Sequence, residues 1–289
     1  MAGAFAGGGG PAPAIPAAPR ALRQRLHRAS ESAALQNRPH CLERALRSLA
    51  AAAQSDAHPG LAHDVLVVDN ASGDKKARTY LDSLASDARG GGAACRLRLL
   101  RLEQPVLQAA AYNLAAEQAS GEALVFLDDD NVFAPGGLSR LLHALSAGAF
   151  DLVVTCLDLH DGDPEQGRAS ARLLFLGDAG SAGLFFNGFG DTAMAVRRDD
   201  FLRLGGFEAS ASGPALDWEF LAKARAAGLR IGVVQEPAIR YAREIGDGDR
   251  KWRKRDQEVR RNSVLRAYGD AFDHVLVARL AQDELLSRY

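Results

Sequence analysis

Long apolar runs are missing: no stretch of about eighteen uninterrupted hydrophobic residues occurs, which argues against a transmembrane helix. Cysteine is scarce. Cys41, Cys95 and Cys156 are odd in number and form no Cys-x-x-Cys pair, which excludes a disulfide framework and predicts a reduced, cytoplasmic setting. Charge of one sign is lacking too, the net value being −1, so nothing in the overall balance points to nucleic acid as a partner. Met1 to Pro19 is an Ala/Gly/Pro tract without the leading positive charge and compact apolar core of a signal peptide, and residues 1–29 are expected to be a disordered leader. What remains of the 289 residues, at 47% hydrophobic and 25% charged, is enough for one catalytic domain with appendages.

The chain is organised around Ala123-Leu124-Val125-Phe126-Leu127-Asp128-Asp129-Asp130-Asn131, an apolar run that ends in three carboxylates. Turn signals flank it, Ser120-Gly121 before and Pro135-Gly136-Gly137 after, so it reads as a buried parallel strand. Ligands of open α/β sheets bind at the carboxyl ends of such strands. Adjacent carboxylates repel one another and call for a positive partner, most simply a hard divalent cation, Mg2+ or Mn2+. A solvated or helix-capping cluster is the plainer alternative. An EF-hand is not, since Val132 stands where a further oxygen ligand belongs.

Around this stretch, helix and strand signals alternate. Arg20 to Arg28 is basic and predicts a short helix with a solvated cationic face. The first strand should precede Asn37, where Ser30–Leu35 is short and rich in alanine. Pro39 opens a helix with Leu42, Ala45, Leu46 and Leu49 on one face. Asp64–Asp69 is a β-branched strand followed by a turn and by Asp74, which should cap the helix starting near Lys75. A strand over 96–102 and a helix over 106–119 lead into the acidic strand, and this order predicts parallel strands joined by crossovers.

Beyond it, a helix is expected over 138–145, strands over 151–157 and 192–198, and helices over 199–204 and from Leu216 to Gly228. The polar 161–170 stretch is the best internal boundary, dividing residues 30–160 from 171–248. Glycines at 177, 180, 183, 188 and 190 suit either a wall against a sugar or phosphate or an irregular core crossing. The last strand, from Arg230, should end at Glu236-Pro237. Residues 249–289 are expected to form an amphipathic helical extension lying on the domain, pairing two copies into a homodimer, or touching a membrane surface peripherally.

Val-Val-Asp-Asn-Ala-Ser-Gly-Asp at 67–74, Asn113, Phe-Leu-Asp-Asp-Asp-Asn at 126–131, Gly-Gly-Phe-Glu at 205–208 and Leu-Asp-Trp-Glu at 216–219 stand in the order and spacing of a known family. The chain resembles the family 2 glycosyltransferases, inverting enzymes of the α/β GT-A fold, over about Asn37 to Glu244. That resemblance implies a nucleotide-diphosphate sugar as donor and a glycan or glycolipid as acceptor, in surface polysaccharide synthesis at the inner face of a membrane. It puts Asn37, Arg38, Asp69, Asn113, Asp128 and Asp129 on the donor, with Asp128 and Asp130 at the metal of a DxD-type signature. Asp217 becomes the general base, and Asp191, Trp218 and Glu219 line the acceptor side.

Three departures stand against the family pattern. The first strand is poor in apolar residues, Leu216 replaces a common glutamate, and Tyr241-Ala242-Arg243-Glu244 lacks a histidine that some members place near the metal. They leave open a non-catalytic GT-A domain that binds a nucleotide sugar or a partner protein. A nucleotidyltransferase would need a glycine-rich phosphate loop where Asn37-Arg38-Pro39 stands.

Overall fold

The computed structural model describes residues 26, 28–35, 37–54, 62–87, 95–208 and 216–243, with 261, 264, 267 and 268. Its first half is a parallel sheet in the order β3-β2-β1-β4, built from β1 (Arg28–Leu35), β2 (Ala62–Asp69), β3 (Cys95–Arg101) and β4 (Ala123–Asp128). The crossovers are α1 (Pro39–Gln54), α2 (Lys75–Asp87) and α3 (Gln108–Gln118). The Asp74 carboxylate accepts the Ala77 N–H at 2.9 Å and starts α2 as a side-chain cap. Leu42, Ala45 and Leu49 are buried along α1, as their spacing requires.

The second half adds β5 (Val132–Phe133), α4 (Gly137–Ser146), β6 (Leu152–Asp161), β7 (Ala171–Leu173), a 3-10 turn at Gly180–Leu184, β8 (Met194–Arg197), α5 (Arg198–Arg203), α6 (Leu216–Ala226) and β9 (Ile231–Arg243). β8 runs antiparallel between β4 and β6, so β4 and β6 point the same way, and β9 is parallel to β6. The short β5 and β7 are also reversed. The sheet is therefore mostly parallel, and the carboxyl ends of β1, β2 and β4 open on one side.

Three expectations need correction. The first strand starts at Arg28, not Ser30, and forms eight residues in the middle of the parallel sheet between β2 and β4. Its polar residues find partners on other elements: Ser30 Oγ accepts the Gly121 N–H at 2.8 Å, and Glu31 Oε1 lies 2.8 Å from His63 Nδ1, while Glu31 Oε2 is buried without a partner among the described residues. The basic helix expected up to Arg28 loses its last residue to this strand, while Arg20–Arg25 lie outside the described residues. The final strand does not stop at Pro237 but continues to Arg243. A register shift in the ladder with β6 between Thr155 and Leu157 accommodates the proline, and Thr155 Oγ1 accepts the Ala238 N–H at 2.8 Å.

A cluster of rings, Tyr112, Phe126, Phe201, Phe207 and Phe220, joins α3, β4, α5 and α6 with centroids 4.9 to 6.0 Å apart. Such edge-to-face and tilted pairs add directional preference to the burial of the rings. The polar loop after β6 leans on α1 through Arg44 to Asp163 (3.2 Å) and Arg47 to Glu165 (3.7 Å). Of the expected helical extension only Arg261, Val264, Ala267 and Tyr268 are described; all are helical, and Val264 joins the core. The rest of that segment, the dimer contact expected there and most of the leader lie outside the described residues. No described helix is long and apolar enough to cross a membrane.

Candidate active site

The loops at the carboxyl ends of the parallel strands are tied into a continuous rim. Asn37, after β1, has a left-handed backbone (φ 58°) that asparagine tolerates better than most residues. Its N–H donates to Ser72 Oγ at 3.0 Å, and its Oδ1 accepts the Asp74 N–H at 2.9 Å, so the loops after β1 and β2 are fastened together. Asp69 is buried at the end of β2, where its Oδ1 accepts the Ser72 N–H at 2.9 Å and shapes the turn beneath Asn37. Asn70 exchanges two hydrogen bonds with the backbone of Val106, both at 2.8 Å, and fastens the segment that leads into α3.

The three carboxylates after β4 diverge instead of sharing one point. Asp128 Oδ1 accepts from Gln108 Nε2 and Tyr112 Oη, each at 2.8 Å, from the first turns of α3. Asp129 is fully buried (0% exposed), with Oδ1 on Arg38 Nη2 and Oδ2 without a hydrogen-bond partner among the described residues. Asp130 is 27% exposed and accepts from Arg38 Nη1 at 2.8 Å. Arg38, from the β1 end, is thus the positive group that the acidic run calls for. Arg44 supports the loop from behind, donating to the Asp130 carbonyl at 3.0 Å.

Burial raises the Asp129 carboxyl, Arg38 opposes the rise, and the flanking Asp130 and Asp128 charges add to it, the net being a value pushed up to about 7. Burial likewise raises the Tyr112 phenol well above its ordinary value, and the Asp128 charge adds to this, so Tyr112 stays a hydrogen-bond donor to that carboxylate. No three His, Cys, Asp or Glu side chains among the described residues converge to form a complete metal cage. The donor set still fits a magnesium-like ion, because such ions take one or two carboxylates and complete their shell with water and substrate phosphate. Asp130 and Asp128, both partly exposed, are the carboxylates of the loop that could serve, and Asp128 Oδ1 is already held by Gln108 and Tyr112.

Of the second group of expected residues, Asp217, Trp218 and Glu219 lie in the first turn of α6, whereas Asp191 lies in the loop before β8. Asp217 Oδ1 accepts the Trp218 N–H at 2.8 Å, and Oδ2 accepts from Asn187 Nδ2 at 3.2 Å. Its place in the first turn sets the carboxylate at the positive end of the helix dipole, which favours the ionised form. Asp191 Oδ1 accepts the Ala193 N–H at 3.1 Å, and Glu219 is partly exposed on the same first turn. Trp218 is placed differently from an acceptor platform: it is 2% exposed, and its indole N–H donates to the Gly183 carbonyl. Gly183 packs so closely on Phe189 that a Cβ would lie 2.3 Å from the ring, which makes this glycine-rich stretch a core crossing here.

Asn113 is also held by the protein itself. Its Nδ2 donates to the Phe207 carbonyl at 2.8 Å and its Oδ1 accepts the Phe207 N–H at 2.9 Å. Gly206, with φ 66°, lets the chain turn there, and a Cβ would come within 2.4 Å of Asn113 Oδ1. Replacing Asn113 with Ala should cost about 1–3 kcal/mol, because two backbone groups lose their partner. Thermal unfolding reads this directly; an unchanged melting temperature with weakened nucleotide binding would instead put the amide on the donor.

The ring cluster connects the two groups: Tyr112 touches Asp128 through its hydroxyl and Phe207 through its ring, and Phe207 packs on Phe220 of α6. Sequence reasoning missed Gln108, Tyr112, Arg44 and Asn187. Only Tyr112, next to Asn113 in an otherwise alanine-rich helix, stood out by type.

A model of the family described as glycosyl transferase family 2 matches residues 34–204, more than half of the chain. Among solved structures the chain is similar to residues 1–349 of S. aureus TarS in complex with UDP-GlcNAc, with a TM-score of 0.59, 19% identity, and coverage of 76% of this chain and 59% of that one. The same TarS fragment in complex with UDP gives a TM-score of 0.56 at 20% identity, covering 81% of this chain and 65% of that one. Against the structure of S. aureus TarS without a stated range the TM-score is 0.56 at 19% identity, with 78% of this chain and 38% of that one covered. The chain therefore spans about six tenths of the length of the first of these, and the likeness is one of fold. No curated protein matches the chain in sequence.

Proposed function

The chain belongs to glycosyl transferase family 2, with the mixed α/β architecture of GT-A glycosyltransferases, and from that premise we propose that it transfers a sugar from a nucleotide diphosphate to an acceptor hydroxyl with inversion. The observation that carries this reading is the rim itself. Loops after β1, β2 and β4 are bonded to one another around Asp128, Asp129 and Asp130, at the end of the sheet where α/β folds hold nucleotides.

In this reading Asn37, Arg38, Asp69 and Asp128 frame the donor, and Arg38 presents a cation toward the diphosphate. A divalent ion held by Asp130 would add charge stabilisation for the leaving diphosphate. Asp217 takes the acceptor proton. As the acceptor oxygen bonds to the anomeric carbon, the bond to the diphosphate oxygen breaks, its electron pair leaves with the diphosphate, and the hydroxyl proton passes to the Asp217 carboxylate. Asn187 holds that carboxylate by Oδ2, at the positive end of the helix dipole, where negative charge is favoured. Glu219, on the same helical turn, and Asp191 are assigned to the acceptor side, and the acceptor to a glycan or glycolipid of surface polysaccharide synthesis.

A thermal-shift screen of the purified protein against UDP, GDP, dTDP and CDP, with Mn2+ and with EDTA, tests the donor half. One nucleotide should raise the melting temperature, since a ligand at a hundredfold excess over its Kd stabilises the native state by about 2.7 kcal/mol. A flat response to all four would sink the reading.

A further inference from the structure

We infer that Arg38 is the resident counter-cation of the acidic loop, occupying Asp129 and Asp130 until a donor arrives, so that a divalent ion enters only together with the diphosphate. The inference rests on the donor-site reading above. Arg38 reaches two different carboxylates with the two ends of its guanidinium, Nη2 on buried Asp129 and Nη1 on partly exposed Asp130 at 2.8 Å. Asp130 is partly exposed and meets Arg38 through Oδ2; Asp128 is partly exposed too, but its Oδ1 already accepts from Gln108 and Tyr112. A metal approaching Asp130 meets a fixed positive charge beside it and competes with a charge-assisted hydrogen bond for that carboxylate.

A nucleotide diphosphate changes both sides of this competition. Its oxygens complete the ion's shell, and they also offer the planar guanidinium a new anionic partner of matching geometry. Arg38 is 42% exposed, so its free edge has room for that partner while Nη2 stays on Asp129. Asp129 needs such a partner in either state, since its Oδ2 is already buried without one among the described residues. Arg38 is in this sense a donor-site residue that sets the order of loading, distinct from the residue that holds the metal.

The test is the affinity for Mn2+, read from the electron paramagnetic resonance signal of the free ion in titrations of full-length protein with and without UDP, with GDP, dTDP and CDP in parallel. Wild type should bind Mn2+ weakly alone and about tenfold or more tighter once the correct nucleotide is present. Arg38→Gln keeps a hydrogen-bonding side chain but loses the charge. It should bind Mn2+ alone about tenfold more tightly than wild type. Equal affinities of wild type and Arg38→Gln for Mn2+ alone overturn the inference and leave the donor reading standing. Should that variant fail to fold, the wild-type comparison decides by itself: Mn2+ affinity that does not change with a nucleotide bound overturns the inference. A protein that binds none of the four nucleotides, with or without Mn2+, overturns the donor reading and the inference with it.

Discussion

Asp217→Asn should abolish most sugar transfer, lowering turnover by about 10²–10⁴-fold, while nucleotide affinity and melting temperature stay close to wild type. The substitution is nearly isosteric. Asparagine keeps an oxygen for the Trp218 N–H, now at 2.8 Å from Oδ1, while its amide gives up the 3.2 Å contact from Asn187 and the charge at the helix start, a loss of about 1 kcal/mol at a partly exposed site. What it lacks is a basic oxygen for the acceptor proton. Folding and donor capture should therefore survive, since the donor rim is built from the loops after β1, β2 and β4 and contains no atom of α6. Turnover measured as nucleotide release with acceptor present, beside calorimetric nucleotide binding, separates the two roles. Unchanged turnover would reduce Asp217 to a dipole partner of α6 and return weight to a domain that binds without transferring.

The largest stability effect is expected at Trp218. Its side chain is buried at the start of α6, beside the carboxylate assigned as the base, and truncation to Ala should cost about 3–5 kcal/mol through lost burial and an unfilled cavity. For a domain of this size that corresponds to a fall in melting temperature of roughly 10 °C. Trp218→Phe separates packing from hydrogen bonding: it retains a ring but leaves the Gly183 carbonyl without the indole donor, a loss of about 1–3 kcal/mol. Scanning calorimetry measures both variants. If Trp218→Phe melts like wild type but raises the acceptor KM, the ring belongs to the acceptor after all; a matched loss of stability without that KM change keeps it in the core.

These two side chains are neighbours in sequence and opposite in fate, and the reason lies in the helix. Consecutive residues on a helix point about 100° apart, so Asp217 can face Asn187 at the surface while Trp218 turns inward to Gly183. Reading Leu-Asp-Trp-Glu as one acceptor-lining motif ignores that rotation. The same holds for Tyr112 and Asn113. One reaches Asp128, and the other clamps Phe207.

The sequence alone determined the elements whose signal is local. The apolar run before Asp128, the β-branched run before Asp69, the cap at Asp74 and the apolar face of α1 follow from burial and hydrogen bonding within a few residues, and they predicted the α/β alternation. The acidic loop at a strand end was legible for the same reason. Tertiary structure decided whatever depends on partners far along the chain. β1 looks weak because Ser30 and Glu31 are polar, yet it is central, with Gly121 bonded to Ser30 and His63 to one oxygen of Glu31 from other elements. β9 passes Pro237 because a distant ladder shifts its register. The counter-charge of the acidic loop belongs to this second class: spacing could call for a cation, but only the folded chain brings Arg38, about ninety residues away, against Asp129 and Asp130.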